Sequence, residues 1–155
     1  MRKMMGIGAL LAAATAAHAD SAEPVNLFTI HANPMIAVAA VQAPFEALPG
    51  QAVRLSVYDS EDAFLENVIA KHEATVGEDR VAVMPLEELA PGEYAFVAYL
   101  DENGDGKLNR GKVLGRPKEP VAFSNGVKPK LRKPKFEETK VSIEPGAVVV
   151  IKFDD

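Results

Sequence analysis

Period-two alternation runs through most of this chain and constrains its fold more than any other feature. In AVRLSVYD (52–59), Val53, Leu55 and Val57 fall on one side, and Arg54, Ser56 and Tyr58 on the other. A strand patterned this way must bury one face against a second layer. Six more runs carry β patterning. Met35 to Val41 is apolar and Ala-rich. NVIAKHEATV (67–76) turns at Gly77-Glu78 into RVAVMPL, with Val81 and Val83 on one face. LAPGEYAFVAYLD is apolar on both faces, which predicts a central strand. TKVSIEPGAVVVIKF predicts a hairpin: Val141 and Ile143, a Pro145-Gly146 turn, then Val149, Ile151 and Phe153. Pro and Gly, eleven each, punctuate these runs. Short strands between regularly spaced turn signals predict an all-β sandwich of about seven strands, immunoglobulin-like or transthyretin-like. The rival is an α+β domain with a helix over 60–74, where Ser60 could cap and Phe64, Val68 and Ile69 share a helical face. The β-branched pair and the Thr75-Val76-Gly77 ending favour a strand after one helical turn.

The chain opens MRKMMGIGALLAAATAAHAD. Arg2 and Lys3 precede an apolar stretch from Met4 to Ala17, and Ala17-His18-Ala19 is a small-x-small cleavage site, the pattern of a secretory signal peptide. About 14 apolar residues are too few to span ~30 Å of hydrocarbon. The expected organisation is a signal peptide at 1–19, a tail at 20–34 and a sandwich domain at 35–155, in a periplasmic or secreted protein. The absence of Cys leaves no residue for a lipoprotein anchor, a thiol nucleophile or a thiolate metal site. No later apolar stretch is long enough for a transmembrane segment. A formal charge of −5, more negative still without Arg2 and Lys3, argues against nucleic acid as a partner.

Residues 101–136 form one long polar segment rich in Gly and Pro, where regular structure is not expected. Loops beyond ~15 residues are uncommon unless they are functional or held by something. The segment begins DENGDGKLNRGK (101–112), with Asp101, Asn103 and Asp105 at every second position. Gly106 follows, where a loop that wraps a cation needs a backbone conformation that glycine reaches cheaply. Lys107 would contribute its carbonyl, and Asn109 falls at the ninth position. This is the first half of a calcium-binding loop, with hard oxygen donors that suit Ca²⁺. The second half departs from that pattern: Lys112 stands where a bidentate Glu is required, and a strand rather than a helix leads in. Completion must come from elsewhere. Glu46, Glu78 and Asp79 would share a pole with the loop if strands alternate up and down, and Glu119 lies in the same segment. The competing reading is a solvated turn, since Asp, Asn and Gly are turn residues.

Catalysis needs a nucleophile with a base, or an acid–base pair in a cleft. His31 falls in the tail and His72 in a charged strand, and Ser56, Ser60, Ser124 and Ser142 have no elbow motif. Glu87-Glu88 and Glu137-Glu138 would point apart in extended chain. No enzymatic site is expected. The run KPKLRKPKFEETK carries Lys128, Lys130, Arg132, Lys133 and Lys135, which could contact anionic lipid or glycan at an envelope surface by charge. The competing reading is a solvated loop. A small ligand between the sheets has only the apolar content of the chain in its favour. Phe123 is the residue expected to pin the long segment to the sandwich, with Asn125-Gly126 as the turn that leaves it.

Three stretches together resemble one exported bacterial family, domain of unknown function 2141: PGEYAFVAYLDENGDGKL, then Gly115, Pro117, Glu119, Phe123, Ser124 and Asn125, and finally PKFEE (134–138). The resemblance covers roughly 35 to 153. It implies export and a small β-sandwich, and supplies no catalytic residues. The residue before Gly115 and the basic run at 128–135 depart from the family pattern. LAPGEY before a strand is also similar to transthyretin-like modules. The function expected is an exported, non-enzymatic binding or envelope-associated module.

Overall fold

The computed structural model describes residues 36–112, 115–128 and 132–154. The expected signal peptide, the tail with His31, and Met35 and Lys130 lie outside the described residues. The elements in chain order are β1 (Val38–Gln42), β2 (Ala52–Tyr58), β3 (Ala70–Thr75), β4 (Val81–Pro85), β5 (Gly92–Asp101), β6 (Val121–Phe123), the single helical turn α1 (Phe136–Thr139), β7 (Lys140–Ile143) and β8 (Val148–Lys152). They form two sheets, ordered β4-β1-β8 and β3-β2-β5-β6, with β7 also pairing with β5. The fold is an all-β sandwich.

The alternation seen in the sequence sets the interior. Val53, Leu55 and Val57 of β2 and Phe96, Ala98 and Leu100 of β5 turn inward. They meet Ala39 and Val41 of β1, Ala82 and Met84 of β4, and Val149 and Ile151 of β8 in one buried cluster. At ~25 cal/mol per Å² of apolar surface, such burial is the main favourable contribution to folding. As expected, β5 is central and buried on both faces: its other side carries Ala95 and Val97 into a second cluster with Tyr58, Phe64, Phe123 and Phe136.

Five sequence expectations are corrected. On β4 the inward face is Ala82 and Met84, while Val83, expected on the buried face with Val81, is exposed. The stretch 139–153 is not a hairpin. β7 pairs with β5, whereas β8 crosses to the other sheet and runs parallel to β1, with Val41 opposite Ile151. The Pro145-Gly146 turn therefore joins two layers, with Gly146 at φ 76°. The two runs share an alternation that suits either pairing, so period alone could not separate a hairpin from a crossover. The segment 60–74 is a turn over 61–66 followed by β3, as the strand reading held, but the strand starts at Ala70 rather than residue 67. The long segment is not devoid of regular structure, because β6 and α1 lie within or at the end of it. Glu137 and Glu138 consequently sit on α1 rather than on extended chain.

His72 is also less solvated than expected. It sits opposite Leu55 on the inward register, half-buried, and its Nε2 has no hydrogen-bond partner among the described residues.

The motif Phe123-Ser124-Asn125 fastens the long segment to the sandwich. Phe123 enters the second cluster, and the Ser124 hydroxyl accepts the Phe96 amide proton at 2.9 Å while donating to the Thr139 carbonyl. Asn125, at φ 58°, makes the turn and donates to the Glu138 carbonyl at 3.0 Å.

Candidate metal centre

β5 ends at Asp101, paired with Ala52 at the start of β2, so the loop leaves the sheet beside Arg54. Asp101 then folds the loop back on itself. Its Oδ2 accepts the Gly106 amide at 2.8 Å and the Arg54 Nε–H at 2.9 Å. Gly106 adopts φ 76°, a conformation that costs a residue with a Cβ roughly 1–2 kcal/mol. Asn103 Oδ1 accepts the Asp105 amide, and Asp105 Oδ1 accepts the Lys107 amide, at 3.0 and 2.8 Å. Tyr99 donates to the Gly106 carbonyl at 3.0 Å and ties the loop to the sheet.

The chain returns through a small antiparallel ladder. Arg110 bridges Pro117, and the Lys118 amide donates to the Asn109 carbonyl at 2.8 Å. Glu119 thereby comes back beside Asn109, whose amide it accepts at 2.9 Å through Oε2. The Asn109 side chain donates to Asp105 Oδ2 at 3.0 Å and to the Lys107 carbonyl at 3.1 Å. It thus acts as the crosslink that holds Asp105 in place.

Asp101, Asp105 and Glu119 each present a carboxylate oxygen within 4.8 Å of the others. Two oxygens on one Ca²⁺ at 2.3–2.6 Å can be at most about 5 Å apart. Asp101 and Glu119 are only 3% and 6% exposed. Asp101 Oδ1 and Glu119 Oε1 are buried and accept no hydrogen bond among the described residues. A buried carboxylate oxygen left in that state is costly. A hard divalent cation would satisfy both at once, and the donor set holds neither imidazole nor thiolate.

Burial pushes the Asp101 carboxyl up, but the hydrogen bonds from Arg54 and the Gly106 amide, with the Gly104 amide nearby, more than offset it and hold it below its usual value. Asp105 is also held low, chiefly by the Asn109 side chain and then the Lys107 amide. Both are therefore carboxylates at neutral pH.

Of the four expected completing carboxylates, Glu119 joins the cluster and Glu46, Glu78 and Asp79 do not. Asp79 instead accepts the Val81 amide in its own turn, at 3.1 Å. The return of the long segment through the Arg110–Pro117 bridge, rather than a shared pole of alternating strands, delivers Glu119 to the loop. Arg54 and Tyr99 were not singled out from sequence. The signal for both was the outward register of β2 and β5, which sets Arg54 opposite Tyr99.

Lys128 pairs with Asp154, and Arg132 grips Glu138 through both guanidinium NH₂ groups. Lys133 and Lys135 are exposed.

Residues 47–151 match the model of a family described as an uncharacterised protein conserved in bacteria (DUF2141). No curated protein matches the chain. Among solved structures, the major plantain pollen allergen Pla l 1 is similar at 10% identity, over 76% of this chain and 94% of that one, with a TM-score of 0.37. Among the described residues, no helix is long and apolar enough to cross a membrane.

Proposed function

This chain belongs to the DUF2141 family of bacterial proteins, and we propose that it is an exported, non-enzymatic binding module whose long loop is organised by Ca²⁺. The observation that carries the reading is the pair of buried carboxylate oxygens, Asp101 Oδ1 and Glu119 Oε1, without hydrogen-bond partners among the described residues. Asp105 supplies the third carboxylate, while Asn103, Lys107 and Asn109 hold the loop in shape. The ion would neutralise three carboxylates that Arg54 and Lys107 offset only in part. It would also close a segment that has no disulfide to staple it. Export is supported by the signal-peptide pattern of the first nineteen residues.

Thermal unfolding in calcium and in EDTA tests this reading. Extracellular calcium modules bind at ~10⁻⁴–10⁻³ M. At ~10 mM calcium, linkage then adds about 1.4–2.7 kcal/mol to folding stability. Glu119→Gln should abolish most of that gain. In EDTA the same variant should match or exceed wild type, because it removes one of three crowded negative charges. Equal melting temperatures for the wild type in calcium and in EDTA would leave a turn and no ion site.

A further inference from the structure

The outer face of the five-stranded sheet carries a groove of about 1050 Å³, at the upper end of the range for small-molecule sites. Its floor is the register opposite the core: Val97 and Tyr99 of β5, Val121 and Phe123 of β6, and Tyr58 of β2. The turn before β3, residues 106–110 and 115–117 of the returning ladder and residues 132–134 wall it in. Seven Lys and Arg side chains line it against one carboxylate, Glu73, in a chain whose net charge is −5. Arg54 and Arg132 are engaged in ion pairs. Lys71, Lys107, Arg116 and Lys133 make none among the described residues, and all four are exposed.

One wall is strained. Leu65 lines the groove with φ 66°, a conformation that is an outlier for a bulky side chain. Strain of this kind costs on the order of 1–3 kcal/mol and clusters at ligand sites.

We propose that this groove binds one soluble anionic amphiphile, with an apolar tail along the half-buried Leu65, Val68, Leu108 and Val121 above that floor, and a phosphate or carboxylate head among Lys71, Arg116 and Lys133. Charge complementarity selects the head, because a cleft lined by one sign of charge over low-dielectric walls focuses its field on an opposite charge. The apolar floor selects the tail. A concave site of this size takes a single molecule rather than a bilayer surface. The inference does not depend on the cation reading, although Gly106 and Lys107 belong to both the loop and the groove wall.

Isothermal titration in EDTA tests it, using decyl phosphate below its micellar concentration, decyl maltoside and inorganic phosphate as probes. Decyl phosphate should bind one per chain, at least ~10-fold tighter than the uncharged decyl maltoside. Inorganic phosphate at equal concentration should leave it bound. Lys71→Glu and Arg116→Glu lie on the surface, and each should weaken decyl phosphate several-fold with the melting temperature unchanged; if one fails to fold, the other carries the test. Equal affinity for the two decyl compounds, displacement by inorganic phosphate, or wild-type affinity in a folded variant would overturn the proposal. So would co-sedimentation with phosphatidylglycerol vesicles in the absence of binding to soluble decyl phosphate. Running the same titration in calcium separates the two sites, since loss of the cation effect leaves the EDTA result standing.

Discussion

Ser124 is fully buried and has a single hydroxyl proton, yet it serves β5 and α1 together. Its oxygen caps the Phe96 amide and its proton goes to the Thr139 carbonyl. Ser124→Ala leaves both backbone groups buried without a partner, so chemical denaturation should show a loss of about 1–3 kcal/mol. A change within ~0.5 kcal/mol would mean that water or a rearranged backbone replaces the hydroxyl. Glu138 acts at the surface instead. The Arg132 guanidinium, and then the Lys135 amide, pull its carboxyl down to about 2 from an ordinary 4.5. A carboxyl lowered on folding contributes stability above its unfolded pKa and loses it as pH falls through the folded one. Between about pH 4.5 and 2, wild type should therefore lose more stability than Glu138→Gln, as read by denaturant midpoints at each pH. Parallel curves would show that the pair contributes nothing in water, as many exposed ion pairs do.

Among the elements, alternation made β2 legible, because a strand with one buried face must repeat every two residues. On β4 it misled, since Val81 and Val83 are the more apolar pair but the smaller Ala82 and flexible Met84 are the ones that face the core. The central place of β5 followed from its two apolar faces. β6 was not legible: Val121-Ala122-Phe123 is too short to show a period and sits in a Gly- and Pro-rich segment. The destination of β8 was hidden for a different reason. Val149, Ile151 and Phe153 announce which side is buried, but not whether the neighbour is β7 or β1, since that choice depends on where a four-residue connection lands. Half of the candidate centre was written locally, in Asp101, Asn103 and Asp105. The other half, Glu119, depends on a ladder that closes at Arg110 and Pro117, and no residue pattern encodes that return. The parallel β1–β8 pairing has a consequence for exchange. Amides of β1, held between β4 and β8, should exchange near the global unfolding limit, while those of the edge strand β3 open earlier. Native-state hydrogen exchange with β1 less protected than β3 would contradict this topology.

Across the whole molecule, the two sheets differ in what they leave uncovered. The five-stranded sheet buries a core on one face, and on the other it carries a second apolar cluster, the cationic groove and, at the end of β5, the acidic cluster. Arg54 stands between these features, paired with Asp101 on one side and Glu73 on the other. The long segment laid across the sandwich brings both candidate sites together. A single centre formed by Asp101, Asp105 and Glu119 underlies the proposed function. The most direct measurement is a calcium titration followed through backbone amide NMR shifts. The account predicts saturable shifts concentrated at 101–109 and 118–120, with a midpoint of ~10⁻⁴–10⁻³ M that Glu119→Gln removes. Shifts that are absent at ~10 mM calcium, or that rise linearly and scatter over all the acidic surface, would contradict it.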